Sequence, residues 1–279
     1  MQMRISLYLI LSILTIILSG CHKKDSVSEG AKSSIYDIEV EIEGDSMLYG
    51  LTCDGSTDSV VVIWPFSGDP ITLNCIEAKQ RHRIIGKPEI GDWIGIMRST
   101  EDSLEATMVI NLDQLKGTWT YPVMPVMKEL QSMSRRAQRR MLADMPDSIK
   151  KTFFVPREYG FTLKRSNQAQ SVGRVMRSNT LEDDSPVIYP EVKNYCRWYM
   201  LNGRLILVSA KRPAKAENET VAEKPIVTMD TLDFVHLDED SLIMTLYGQK
   251  YGFHRKNNSL EANANAAKAQ EKIDKKIKK

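Results

Sequence analysis

Asn202-Gly203 stands between two runs of alternating apolar residues, Tyr195-Cys196-Arg197-Trp198-Tyr199-Met200-Leu201 and Arg204-Leu205-Ile206-Leu207-Val208. A two-residue connection between such runs requires positive φ at both central positions. Asn and Gly adopt that conformation at low cost, so the dipeptide predicts a tight antiparallel hairpin. A lone hairpin is marginal in water and must find more strands to bury its apolar face.

Those strands are written on both sides of it. Leu115-Lys116-Gly117-Thr118-Trp119 opens the set. Tyr159-Gly160-Phe161-Thr162-Leu163 and Gln168–Gly173 form a second hairpin, and Asp230–Val235, Asp240–Met244 and Tyr251–Arg255 complete the series. Eight strands are expected over 115–256, the number that closes a barrel just wide enough for side chains or one small ligand. This succession resembles the lipocalin-like lipoproteins of Bacteroidota envelopes, over about half of the chain. The resemblance implies an up-and-down barrel whose Gly-x-Trp lays the Trp119 indole across the floor. It also implies a small apolar or amphipathic ligand, with Trp119, Tyr121, Phe161, Trp198 and Tyr199 as lining residues. One segment departs from that pattern. Pro125 can start a helix, and Val126, Leu130, Met133, Ala137 and Met141 recur at helical spacing, with Arg135, Arg136, Arg139 and Arg140 on the polar side. A helical insert over about 125–145 is expected, either a lid on the barrel end or a helix facing anionic head groups. Lys211 to Pro225 reads as a loop between strands.

Residues 35–112 read as a separate small β-module, an antiparallel barrel or sandwich. Its expected strands are Ile38–Ile42, Met47–Thr52, Val60–Trp64, Ile71–Lys79, His82–Ile85, Ile90–Ile96 and Leu104–Leu112. Turn signals at Gly44-Asp45, Asp54-Gly55, Gly68-Asp69-Pro70 and Gly86-Lys87-Pro88 separate them. The expected core is Ile38, Val40, Val61, Ile63, Leu73, Ile85, Ile94, Ile96 and Val109. Lys79, Arg81, His82 and Arg83 form a basic cluster, but a nucleic-acid platform would need exposed aromatics beside it. Trp64 and Trp93 are flanked by aliphatics and read as core, so no nucleic-acid partner is expected. A formal net charge of +2 gives no push toward one either.

Arg4, the apolar run Ile5–Leu18 and Leu18-Ser19-Gly20-Cys21 have the three parts of a secretory leader. The run is shorter than the roughly 20 residues needed to span a bilayer. Leu, a small residue, Gly and Cys in that order resemble a bacterial lipobox. The resemblance implies a signal peptide at 1–20, lipid on Cys21 and an outer-membrane lipoprotein facing the periplasm or the exterior. Residues 21–34 are polar and read as a tether. With Cys21 lipidated, Cys53, Cys75 and Cys196 remain. Cys53 and Cys75 fall in one module, and both a disulfide and two free thiols are open. Cys196 reads as core.

Motifs of catalysis and metal binding are lacking: there is no HExxH, CxxC, GxGxxG or P-loop. Ser148-Ile149-Lys150-Lys151 matches a Ser-x-x-Lys spacing without its companion motifs. Glu182-Asp183-Asp184 reads as a solvated loop, and His22, His82, His236 and His254 as surface imidazoles. No enzyme activity, cofactor or metal is expected. Seven triplets share the pattern Asp, hydroxyl residue, aliphatic, with Ser26, Ser46, Ser59, Ser103, Ser148, Thr231 and Ser241 at their centres. Asp-Ser and Asp-Thr start strands after turns because their side chains satisfy local backbone groups. The pattern also resembles the O-glycosylation sequon of Bacteroidota envelope proteins, which makes the seven hydroxyl residues candidate glycan sites. The 257–279 tail is Lys-rich and reads as a frayed helix or a disordered segment. The expectation is a lipid-anchored, all-β, two-module protein that binds a small ligand without catalysis. The alternative is an interaction lipoprotein of an outer-membrane assembly, with a filled barrel.

Overall fold

In the computed structural model, residues 40, 42–173, 187–211, 225–257, 262–264 and 268 are described. The expected signal peptide, Cys21, the expected tether with Ser26, Ile38, Glu182-Asp183-Asp184 and most of the Lys211–Pro225 stretch read as a loop lie outside them. Ile35–Lys279 forms one compact unit.

Its first part is a small barrel. The strands are β1 (Leu48–Thr52), β2 (Val60–Pro65), β3 (Ile71–Asn74), β4 (Ile84–Ile85), β5 (Trp93–Arg98) and β6 (Ala106–Asn111), with helix α1 (Ile76–Gln80) after β3. They form one sheet in the order β3-β2-β1-β5-β6-β4. A parallel bridge from Asn74 to Glu105 brings the end of β3 to the start of β6, with the Asn74 amide donating to the Leu104 carbonyl at 2.8 Å. The sheet therefore curls on itself with α1 between its third strand and the rest, the arrangement of an OB-type Greek-key barrel. Val61, Ile63, Leu73, Ile94, Ile96 and Val109 fill it as expected.

Four expectations change here. The strand over Ile71–Lys79 stops at Asn74, whose side chain accepts the Ile76 amide at 3.0 Å and turns the chain into α1. The strand over His82–Ile85 shrinks to Ile84–Ile85, and His82 takes φ +54°. Trp64 is 55 % exposed: Val61 and Ile63 face inward, so the two-residue period sends Trp64 to the outer face. Val40 does not enter this core. With Ile42 it covers Cys196, Ile206, Val208 and Ala210, and neither Val40 nor Ile42 is part of a strand.

Helix α2 (Leu112–Leu115), capped by the Asn111 side chain, leads directly into the second barrel. Its elements are β7 (Gly117–Val123), β8 (Val126–Met127), a 3-10 turn at Lys128–Ser132, α3 (Arg135–Asp144), α4 (Asp147–Phe153), β9 (Arg157–Leu163), β10 (Ala169–Val172), β11 (Val187–Ile188), β12 (Tyr195–Leu201), β13 (Arg204–Lys211), β14 (Ile226–Leu237), β15 (Ser241–Leu246) and β16 (Gln249–Lys256). Eight of these strands form an antiparallel sheet in the order β10-β9-β7-β16-β15-β14-β13-β12. Taken in chain order this is an up-and-down meander whose last strand pairs with its first, as the hairpin pattern led one to expect. Closure between β10 and β12 is thin. A single bridge joins Gln168 to Arg197, and the Ser171 hydroxyl substitutes for a ladder bond by accepting the Tyr195 amide at 2.7 Å and donating to the Lys193 carbonyl.

The insert differs from the expected single helix. Pro125 is buried and precedes β8, which pairs with β11 outside the barrel. Helix α3 starts later, where the Ser134 hydroxyl accepts the Ala137 amide, and α4 follows Pro146. No residue of α3 is buried, and all four arginines are exposed.

The two barrels share a core. Ile85, Met108, Ile110, Leu112 and Leu115 pack in one cluster with Trp119, Phe161, Trp198, Leu205, Leu237, Leu242 and Phe253. The Asn202-Gly203 turn helps join them. Both residues have positive φ, 48° and 78°. The Asn202 side chain accepts the Ser46 amide and hydroxyl at 3.0 and 2.8 Å and donates to the Gly44 carbonyl at 3.1 Å. A Cβ on Gly203 would lie 2.7 Å from the sulfurs of both Met97 and Met108. Part of the tail is also held. Ala262 is buried, and the Asn263 amide group pairs with the Glu158 backbone at 2.7 and 2.8 Å.

Candidate functional site

The lower barrel is filled. Trp119 is fully buried and donates its indole N–H to the Leu115 carbonyl at 2.7 Å. Trp198 is buried beside it and donates to the Lys164 carbonyl at 2.9 Å. Both indoles thus gain partners at the end of the barrel where the small barrel packs. The opposite end is open. A cavity of about 290 Å³ is lined there by Tyr121, Tyr159, Phe161, Tyr195, Tyr251 and Phe253 together with Leu207, Leu232, Lys193 and Tyr247. Of the expected lining residues, Tyr121 and Phe161 reach it. Trp119 and Trp198 form the packed floor beneath. Tyr199 faces the other way and packs with Cys196 and Ile206, because strand alternation puts it opposite Trp198 and Met200. Among the described residues, the insert supplies none of the cavity's lining.

The aromatic lining has edge-on contacts typical of π-systems. Tyr121 meets Tyr251 at 5.4 Å and Phe253 at 5.2 Å, and Phe161 lies 5.2 Å from Phe253. The Tyr121 and Tyr251 hydroxyls make no hydrogen bond among the described residues. Burial pushes the Tyr121 phenol above its ordinary value.

Next to the cavity lies a polar centre on the inward face of β14. Asp230 is 3 % exposed. Its carboxylate accepts the Lys193 ammonium at 2.6 Å on each oxygen, the Tyr195 hydroxyl at 2.9 Å and the Tyr247 hydroxyl at 3.0 Å. Burial and the Asp230 charge push the Tyr195 phenol far up, and the hydrogen bond to Asp230 pushes Tyr247 up. Three chain segments are tied by this one carboxylate: the stretch before β12, β12 itself and the turn between β15 and β16. Tyr159 holds the first of them by donating to the Pro190 carbonyl at 2.8 Å. The sequence pattern places Asp230 at the start of a strand after a turn, but it lies inside the twelve-residue β14. The available signal was parity: Asp230 shares the inward face with Leu232.

The remaining candidates lie apart. Ser46, Ser59, Ser103, Ser148 and Thr231 are exposed and Ser241 is half-buried. Cys53, Cys75 and Cys196 are free. In the basic cluster, Lys79 pairs with Asp58 at 3.0 Å and Arg81 with Glu77 at 2.7 Å. Among the described residues no three His, Cys, Asp or Glu groups come together as a metal site, and no helix is long and apolar enough to cross a membrane.

No protein-family model matches the chain. No curated protein matches it either. Among solved structures it is similar to a lipocalin-like protein from Bacteroides thetaiotaomicron VPI-5482, at 16% identity and a TM-score of 0.26, covering 50% of this chain and 95% of that one.

Proposed function

We propose that the chain is a lipid-anchored envelope protein whose second barrel binds a small amphipathic molecule without catalysis. One observation carries this reading: an aromatic-walled cavity of about 290 Å³ stands open at one end of an otherwise filled barrel. That volume is at the lower bound of roughly 300 Å³ for drug-sized pockets, so the ligand is smaller than a typical drug. Asp230 accepts four hydrogen bonds from Lys193, Tyr195 and Tyr247, and in this reading its carboxylate shapes the site rather than reacting in it. Native mass spectrometry of the purified protein, before and after denaturation, tests the reading. A small molecule lost on denaturation supports it, whereas a bare mass together with no uptake from a panel of small amphiphiles refutes it.

Cys21 carries the lipid in this reading, and the outer membrane is the proposed location. The expected signature is incorporation of labelled fatty acid that Cys21→Ser abolishes. The seven Asp-hydroxyl triplets are proposed glycan sites. Among the described residues Ser59, Ser103, Ser148 and Thr231 are exposed, whereas the Ser46 hydroxyl is held by Asn202. The second reading is an interaction protein with the barrel as scaffold. It is favoured by Trp64, 55 % exposed, which lies directly across the β1–β2 ladder from Leu51, 43 % exposed. An envelope protein captured by cross-linking at Trp64, and lost with Trp64→Ala, would support that reading over the first.

A further inference from the structure

The cavity wall carries two ionisable side chains of fixed charge, Glu191 and Lys193. Glu191 turns to Lys211 at 3.0 Å, and both are largely exposed. Lys193 is the charge a ligand inside would meet. Its counter-charge, Asp230, is 3 % exposed and is not itself among the cavity's lining residues. A carboxylate offers about four acceptor sites, and all are taken: one oxygen by Lys193 and Tyr247, the other by Lys193 and Tyr195.

We infer that the cavity selects uncharged molecules bearing a hydroxyl or carbonyl group on an apolar body, and that Asp230 sets this selectivity. The inference rests on the ligand-binding reading above. An anion taking the remaining ammonium proton of Lys193 would lie beside a buried carboxylate that already holds that ammonium by two contacts of 2.6 Å, and so would place a second negative charge beside the first. In a site partly removed from water such repulsion is weakly screened. A cation would face the Lys193 ammonium instead. A neutral hydroxyl or carbonyl meets neither difficulty. It finds the Tyr121 and Tyr251 hydroxyls, each able to donate and accept, and the third ammonium proton of Lys193. The apolar body lies against Phe161, Phe253, Leu207 and Leu232.

Three probes of similar shape isolate the charge: 1-naphthol, 1-naphthoate and 1-naphthylmethylammonium, titrated calorimetrically into the full chain at neutral pH. Naphthol is expected to bind at least about tenfold tighter than either ion. Asp230→Asn keeps the shape and leaves Lys193 uncompensated, so naphthoate is expected to tighten about tenfold and overtake naphthol. Lys193→Met, which alters a half-exposed side chain, is expected to tighten the ammonium probe by a similar factor and stands in if Asp230→Asn fails to fold. A wild-type preference for naphthoate overturns the inference. So does an unchanged order in Asp230→Asn or Lys193→Met when naphthol still binds, and in those cases the ligand-binding reading survives. If no probe binds the wild-type protein, that reading falls and takes this one with it.

Discussion

Replacing Asn202 by Ala tests whether the hairpin turn clasps the two barrels. The substitution removes three hydrogen bonds, two accepted from Ser46 and one donated to Gly44. All are solvent-accessible, so each sits near the low end of the net range, and together they contribute roughly 1.5 kcal/mol. Ala must also hold φ +48°, which costs an ordinary L-residue about 1 kcal/mol more. A loss of roughly 2.5 kcal/mol is expected. Asn202→Gly separates the two contributions, since it gives up the hydrogen bonds but takes positive φ freely, and a loss of about 1.5 kcal/mol is expected from it. Urea unfolding followed by fluorescence reads both, as a lower midpoint. The clasp also links Gly44–Met47 to the second barrel. A weakened clasp is therefore expected to broaden the transition or split it in two, which probes placed in each barrel would detect. If Ala and Gly each cost under about 0.5 kcal/mol, the side-chain contacts do not hold the junction and the reasoning fails.

The acid limb of stability should report Asp113. Burial pushes this carboxyl up, but Lys116 and the Trp93 amide, donating at 2.6 Å, pull it further down, so it lies below its ordinary value. A depressed folded-state value means stability that is present above the unfolded carboxyl range and lost as pH falls through the folded value. Asp113→Asn is expected to lower stability at pH 7 and to flatten its fall below about pH 4, as measured by urea midpoints across pH. Among Cys53, Cys75 and Cys196, a thiol titration should find Cys53, which is half-buried, to be the fast group, while Cys75 and Cys196 react only on unfolding because burial pushes both thiols up. Disulfide-linked peptides of Cys53 and Cys75 in a non-reducing digest would contradict this. The arginine face of α3 is expected to hold the full chain to anionic vesicles over zwitterionic ones. Changing Arg135, Arg136, Arg139 and Arg140 to Gln should weaken that retention by about 1 kcal/mol per residue removed from the surface, and equal retention would show the face to be merely solvated.

Much of the fold was legible because strands declare themselves by period. Tyr195–Val208 carries its own turn, and the observed pairing runs from Leu201 opposite Arg204 to Arg197 opposite Val208, with a bulge between Arg197 and Tyr195. What the period could not convey was where each barrel ends. Ile71–Lys79 reads as one apolar stretch, yet Asn74 splits it, since a side chain satisfying a backbone amide outweighs weak β-propensity. The insert misled for a related reason. Pro125 suits the first turn of a helix and suits a strand edge equally well, and only the Ser134 cap marks the true start. Trp64 shows the limit of composition: aliphatic neighbours suggested burial, but alternation decides which face a residue takes.

The site was half legible for the same reason. Tyr121 and Phe161 follow from inward parity on β7 and β9, where Tyr121 pairs with Tyr159 and Trp119 with Phe161. The same parity puts Asp230 inside, two residues before Leu232, whereas Tyr195, three residues before Trp198, reaches the inside only because the register shifts between Tyr195 and Arg197. A carboxylate at an inward position of a barrel strand is costly unless its charge is met. Read that way, Asp230 demands a cation and donors from elsewhere in the chain. The sequence cannot say which ones, because Lys193 and Tyr247 come from a connecting segment and a turn, where no period operates. The structure names them, and the consequence is chemical as well as structural. A charge buried to close the barrel's open end also fixes what charge that end will accept, so variants at Asp230 should change stability and ligand preference together. Variants at Tyr121 or Tyr251, which bond to nothing among the described residues, should change ligand affinity with little effect on stability. A Tyr251→Phe protein that unfolds at the same urea concentration yet binds naphthol several-fold more weakly would separate the two roles, whereas unchanged naphthol affinity would remove the free hydroxyls from the binding site.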